Sequence, residues 1–145
     1  MNKSVMLGGV GALGVIAGGI ALLPLGAANA QQSAQDELAS ADLIAVKFHA
    51  DWCGHCKAVS GYWDDLQETF AEDDVLFLTF DVTNDSTKHQ TEMLATLTGQ
   101  DDIWADHKGK NGFMVVIDAN TGEILEKLTS RDTVATATSA VRKHI

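Results

Sequence analysis

Two cysteines three residues apart constrain this chain more than any other feature. Cys53-Gly54-His55-Cys56 holds the only cysteines among the 145 residues, so a disulfide within the chain must close across this one short loop. Residues 42–49, just before it, are apolar and β-branched enough to predict a buried strand. Residues 56–71, just after it, repeat apolar side chains at helical spacing. A strand running into a C-x-x-C pair that opens a helix is the redox setting of this motif. There the Cys53 sulfur would lie beside the unpaired N–H groups at the positive end of the helix, which favours its thiolate. His55 supplies a further donor or positive charge, and Gly54 lets the loop turn tightly.

One motif with two cysteines is not a disulfide scaffold, and four-ligand zinc usually draws on a second pair that this chain lacks. A chain that is 46% hydrophobic suits one globular domain with its own core. The net charge of −10 argues against nucleic acid and anionic membrane surfaces as partners.

The first thirty residues read as an export signal rather than as part of the fold. Lys3 is a positive n-region, residues 5–23 form an apolar, glycine-rich run, and Ala28-Asn29-Ala30 is an A-x-A cleavage signal. The competing reading is an uncleaved anchor, since the run approaches a bilayer-spanning length and Gly14 and Gly18 make a G-x-x-x-G spacing. Either reading exports the domain at 31–145 to a compartment where disulfides persist. Arg142-Lys143-His144-Ile145 is not an endoplasmic reticulum retention signal, so a periplasm is expected. No membrane contact is expected of the mature domain unless the N-terminal segment is retained.

Ala50-Asp51-Trp52-Cys53-Gly54-His55-Cys56-Lys57 resembles the active-site stretch of the thioredoxin superfamily, and its Gly54-His55 dipeptide is the one familiar from protein disulfide isomerase domains. Asp81-Val82-Thr83-Asn84-Asp85 is similar to thioredoxin-like domains of the bacterial envelope Dsb system. The resemblance implies a thiol–disulfide oxidoreductase without cofactor or metal. It would work as a monomer on protein thiols or disulfides of the cell envelope. Cys53 would attack and Cys56 resolve, with Gly54, His55, Trp52 and Lys47 tuning the pair. The isomerase-like dipeptide points towards donating or shuffling disulfides, and the Dsb-like stretch towards reductive relay.

The expected elements fit that family. A short helix over 33–41 precedes a strand over 43–49 and the active-site helix over 56–72, with Val59, Trp63, Leu66 and Phe70 on one face. A second strand over 75–82 is apolar enough to be covered on both faces. Asn84-Asp85-Ser86 offers caps for a helix to about residue 97. A polar loop over 99–112 leads to strands over 113–117 and 123–128 and a last helix over 133–144. The order β-α-β-α-β-β-α predicts an α/β thioredoxin-like sandwich, a mixed central sheet flanked by helices.

Two departures from the family stand out. Thioredoxin-like proteins usually place a cis-proline before the third strand, facing the disulfide. The only proline here is Pro24, and Gly112 occupies that place. A glycine there would leave its N–H free, so substrates are expected to dock on backbone of Asn111, Gly112 and Phe113 in a mobile loop, with Trp104 as an apolar anchor. Lys47 stands six residues before Cys53, where thioredoxins carry a buried Asp and isomerase domains a Glu. A buried lysine with lowered pKa would be a base; the bland alternative is a lysine that snorkels out or pairs with a carboxylate. Two other classes fit the same residues. One is copper(I) handling by Cys53 and Cys56 with His55, His49 or Met114. The other is a non-catalytic binding domain with a permanent disulfide.

Overall fold

The computed structural model describes residues 38–145, so the expected export signal and most of the helix expected over 33–41 lie outside the described residues. One helical turn at 38–40 leads into β1 (Leu43–His49). There follow α1 (Gly54–Thr69), β2 (Val75–Asp81), α2 (Asp85–Leu97), α3 (Asp101–His107), β3 (Phe113–Asp118), β4 (Ile124–Thr129) and α4 (Val134–Arg142). The sheet order is β2-β1-β3-β4. β1 runs parallel to β2 and antiparallel to β3, and β3 runs antiparallel to β4. The expected mixed sheet flanked by helices is therefore the observed architecture.

Alternation along the strands builds a core on each face of the sheet. Ile44, Val46 and Phe48 of β1 and Val115 and Ile117 of β3 face Ala95 of α2 and Ile103 and Trp104 of α3. Leu43, Ala45, Met114 and Val116 face the other way, onto Val59, Trp63, Leu66 and Phe70 and onto Ala137 and Val141 of α4. The helical stripe expected of the active-site segment is thus its buried face. Where β1 and β3 end, the Phe48 ring stacks on Phe113 (4.7 Å, 18°) and meets Phe80 edge-on (5.4 Å, 84°). Each such pair contributes about 0.5–1.5 kcal/mol beyond area burial. These rings fix the strand ends from which the C-x-x-C loop departs.

One expected element needs correction. The 99–112 segment is not an open loop, because Asp101–His107 forms α3 and buries Ile103 and Trp104. β2 stands at the sheet edge, yet both of its faces are packed as expected. Leu76, Leu78 and Phe80 lie against one core, and Val75 and Phe77 against the other, with Phe77 edge-on to Trp63. Asn84 does cap α2, its side chain accepting the N–H groups of Ser86 and Thr87 at 2.9 and 3.1 Å.

Candidate active site at the head of the first helix

The chain turns from β1 into α1 through Ala50-Asp51-Trp52, and Cys53 is the N-cap of the helix. Its Sγ accepts the backbone N–H of Cys56 at 3.1 Å. This is the work a Ser or Asp oxygen does at other helix starts, here given to a sulfur that could carry charge. Cys53 is 8% exposed and Cys56 only 1%. The Cys56 thiol faces the Phe48 carbonyl at 3.8 Å. Burial pushes that thiol up to about 11, and its hydrogen bond to Cys53 and the Cys53 charge push the same way. Backbone groups of Ala50 and Gly112 work in the opposite direction. The two sulfurs are therefore unequal, one at the rim and one held protonated beneath it.

The approach loop is tied to the end of β2. Thr83 accepts the Asp51 N–H on its hydroxyl and the Trp52 indole N–H on its carbonyl, both at 3.0 Å, leaving the Trp52 ring 66% exposed beside the cysteines. Asp81 accepts the Thr83 N–H at 2.7 Å. Burial alone would raise the Asp81 carboxyl, but hydrogen bonds from Thr83 and the nearby His49 carry it below its ordinary value. The His49 Nε2 lies 3.1 Å from an Asp51 carboxylate oxygen. Thr83 escaped the sequence reading as an individual residue, although it lies within the Asp81–Asp85 stretch that carried a family likeness.

Lys47 is half-buried under α1, its ammonium 4.9 Å from the centre of the Trp63 ring. Burial lowers its pKa, while Asp64 and the Cys56 sulfur oppose that. It thus neither escapes fully to solvent nor sits as an isolated buried base. Met114, weighed as a copper ligand, is fully buried in the core on the far face, apart from the core that holds Cys53 and Cys56.

The docking residues need revision. Gly112 has φ +82° and donates its N–H to the Phe48 carbonyl at 3.0 Å, so that N–H is already used. A Cβ at Gly112 would stand 2.8 Å from the His55 Cβ and 3.4 Å from the Cys53 sulfur. Glycine here is a close-approach position, letting the backbone before β3 lie directly against the motif. Phe113 is 6% exposed, its ring committed to Phe48, and Trp104 is 6% exposed, edge-on to Phe80. The Trp104 ring therefore cannot anchor a partner from there. Asn111 is half-buried and does line a groove beside the cysteines. On its other wall, the His55 Nδ1 lies 3.0 Å from the Ser130 hydroxyl in the turn after β4.

Comparisons with known proteins point to a thioredoxin-like domain. The Thioredoxin family model matches residues 27–98. The chain is 52% identical over 29 residues to a rabbit (Oryctolagus cuniculus) protein disulfide-isomerase, covering 20% of this chain and 6% of that protein. It is 43% identical over 44 residues to protein disulfide-isomerase 1 of Caenorhabditis elegans, covering 30% of this chain and 8% of that one. The matched stretch is thus a small part of these much longer relatives. Among solved structures, a thioredoxin-family thiol:disulfide interchange protein from Chlorobium tepidum TLS superposes with a TM-score of 0.52 at 18% identity. That superposition covers 76% of this chain and 83% of that one, and speaks for the fold. The family match over residues 27–98 and the fold are both thioredoxin-like.

Proposed function

We propose that the chain is an exported thiol–disulfide oxidoreductase that exchanges disulfides with proteins of the cell envelope through Cys53 and Cys56. The observation that carries this reading is the inequality of the two sulfurs at one helix start. The Cys53 thiolate attacks one sulfur of a substrate disulfide, and the S–S electron pair leaves on the other sulfur as a thiolate. Cys56 then loses its proton and attacks the Cys53 sulfur, expelling the second substrate thiolate. The substrate gains two electrons, and the Cys53–Cys56 pair gives them up as it closes. The reverse sequence donates the disulfide.

The local geometry times the second step. Two of the influences that hold the proton on Cys56, its hydrogen bond to Cys53 and the Cys53 charge, vanish once the Cys53 sulfur is bonded to substrate. Burial then remains, opposed by the Ala50 and Gly112 backbone. Cys56 becomes easier to ionise at the moment its attack is required. Export is supported by Lys3, the apolar run and Ala28-Asn29-Ala30.

Alkylation of the reduced protein as a function of pH tests the assignment. Labelling rate follows thiolate fraction. A thiol whose pKa is raised to about 11 stays protonated and unreactive below that range. Mass spectrometry should therefore find Cys53 modified first, with Cys56 labelling only as the pH approaches about 11. Equal labelling of both at neutral pH would remove the division of roles.

A further inference from the structure

A groove of about 290 Å³ opens beside the motif, lined by His55, Asn111, Gly112, Thr129, Ser130 and Arg131. Gly112 abuts both the His55 Cβ and the Cys53 sulfur, so the groove begins where a substrate sulfur would bind. Its lining departs from the rest of the surface. The chain carries 20 acidic residues against 10 lysines and arginines, yet the groove is lined by Arg131 and by no carboxylate. Among the described residues the Arg131 guanidinium has no ion-pair partner. The nearest acid in sequence, Asp132, is turned inward, accepting the Thr129 N–H at 2.7 Å and the Thr129 hydroxyl at 3.1 Å. That bond fixes the turn that presents Ser130 and Arg131. Ser130 in turn holds the His55 ring at 3.0 Å.

We infer that this groove is a specificity subsite for a carboxylate side chain lying close to the reacting cysteine of a protein substrate, with Arg131 as the recognising group. This rests on the exchange reaction proposed above and adds its substrate preference. A guanidinium recognises carboxylate as a two-pronged donor. Asn111 and Ser130 place further polar groups around the same space. On so acidic a protein, acidic substrates are repelled at long range, and a local cation beside the sulfur reverses that where the exchange occurs.

The test uses the full chain, reduced, and two disulfide-bonded peptides that differ only by Glu or Gln one residue from the cysteine. At low salt the Glu peptide should exchange about fivefold faster, the factor that about 1 kcal/mol supplies for a partly exposed ion pair. The preference should shrink at high salt. Arg131→Gln should bring the ratio near one, Arg131→Lys should keep part of it, and Arg131→Glu should invert it. Glutathione disulfide is the comparison arm: its exchange should fall less in Arg131→Gln than that of the Glu peptide. Equal losses would assign the groove to small carboxylated thiols and overturn the protein-substrate assignment. A wild-type ratio near one, or a ratio that Arg131→Gln leaves intact, overturns the subsite while exchange itself stands. No exchange with either peptide overturns both.

Discussion

Cys53→Ser is expected to reduce disulfide exchange to the uncatalysed background, while Cys56→Ser should retain the first step and accumulate mixed disulfides with substrate. The asymmetry follows from the helix start. Cys53 is at the rim and accepts the Cys56 N–H at 3.1 Å, whereas Cys56 is 1% exposed and can reach little beyond the Cys53 sulfur. A serine hydroxyl can take that N–H bond and preserve the cap, but it is not a nucleophile towards sulfur at neutral pH. Loss of activity without loss of fold is therefore the expected signature. It is read by insulin-type reduction assays alongside circular dichroism, with non-reducing gels for the trapped adducts. Adducts accumulating on Cys53→Ser instead would reverse the roles.

The second large effect belongs to Gly112, and it concerns stability as much as exchange. Its φ of +82° is a region that residues with a Cβ rarely adopt, and the added carbon would press within 2.8 Å of the His55 Cβ. Gly112→Ala should cost about 1–3 kcal/mol from backbone strain, before the collision is counted. Gly112→Pro should cost more. Proline holds φ near −65°, opposite in sign to the glycine here, and it deletes the N–H that satisfies the Phe48 carbonyl at 3.0 Å. Against a total stability of about 5–15 kcal/mol, the proline variant stands close to unfolding. Denaturant midpoints should rank wild type above Gly112→Ala above Gly112→Pro. A proline variant as stable as wild type would mean that the backbone before β3 does not run as described. A proline does not fit this position, because the backbone here is built around a residue without a side chain.

Features written in local residue patterns were legible in the sequence. The apolar run of β1, the Val59-Trp63-Leu66-Phe70 stripe of α1 and the Asn84 cap each carry their own signal, and the fold uses each as that signal implies. α3 was missed because its signal is weak. It has seven residues, no side-chain cap, and two large apolar residues beside an alanine, three aspartates and a histidine. The apolar run of β2 read as a strand covered on both faces, and both faces are packed, but its place at the sheet edge is a property of the other strands and carries no local signal. Gly112 could be singled out from its place before β3, yet not its φ or its bond to Phe48, since both depend on α1 lying alongside. Arg131 and Ser130 were invisible as site residues for a similar reason. They reach the motif across 75 positions of sequence, through a turn that carries no motif of its own.

The central claim is that Cys53 and Cys56 form a pair that opens and closes in function. A redox titration of the purified protein in thiol–disulfide buffers, followed by the fluorescence of the adjacent Trp52 or by a thiol-labelling mass shift, measures it directly. The account predicts one two-electron transition, with a midpoint between about −270 and −120 mV, where partner thiols can drive it either way. A midpoint below about −300 mV, the range of permanent structural disulfides, would contradict it.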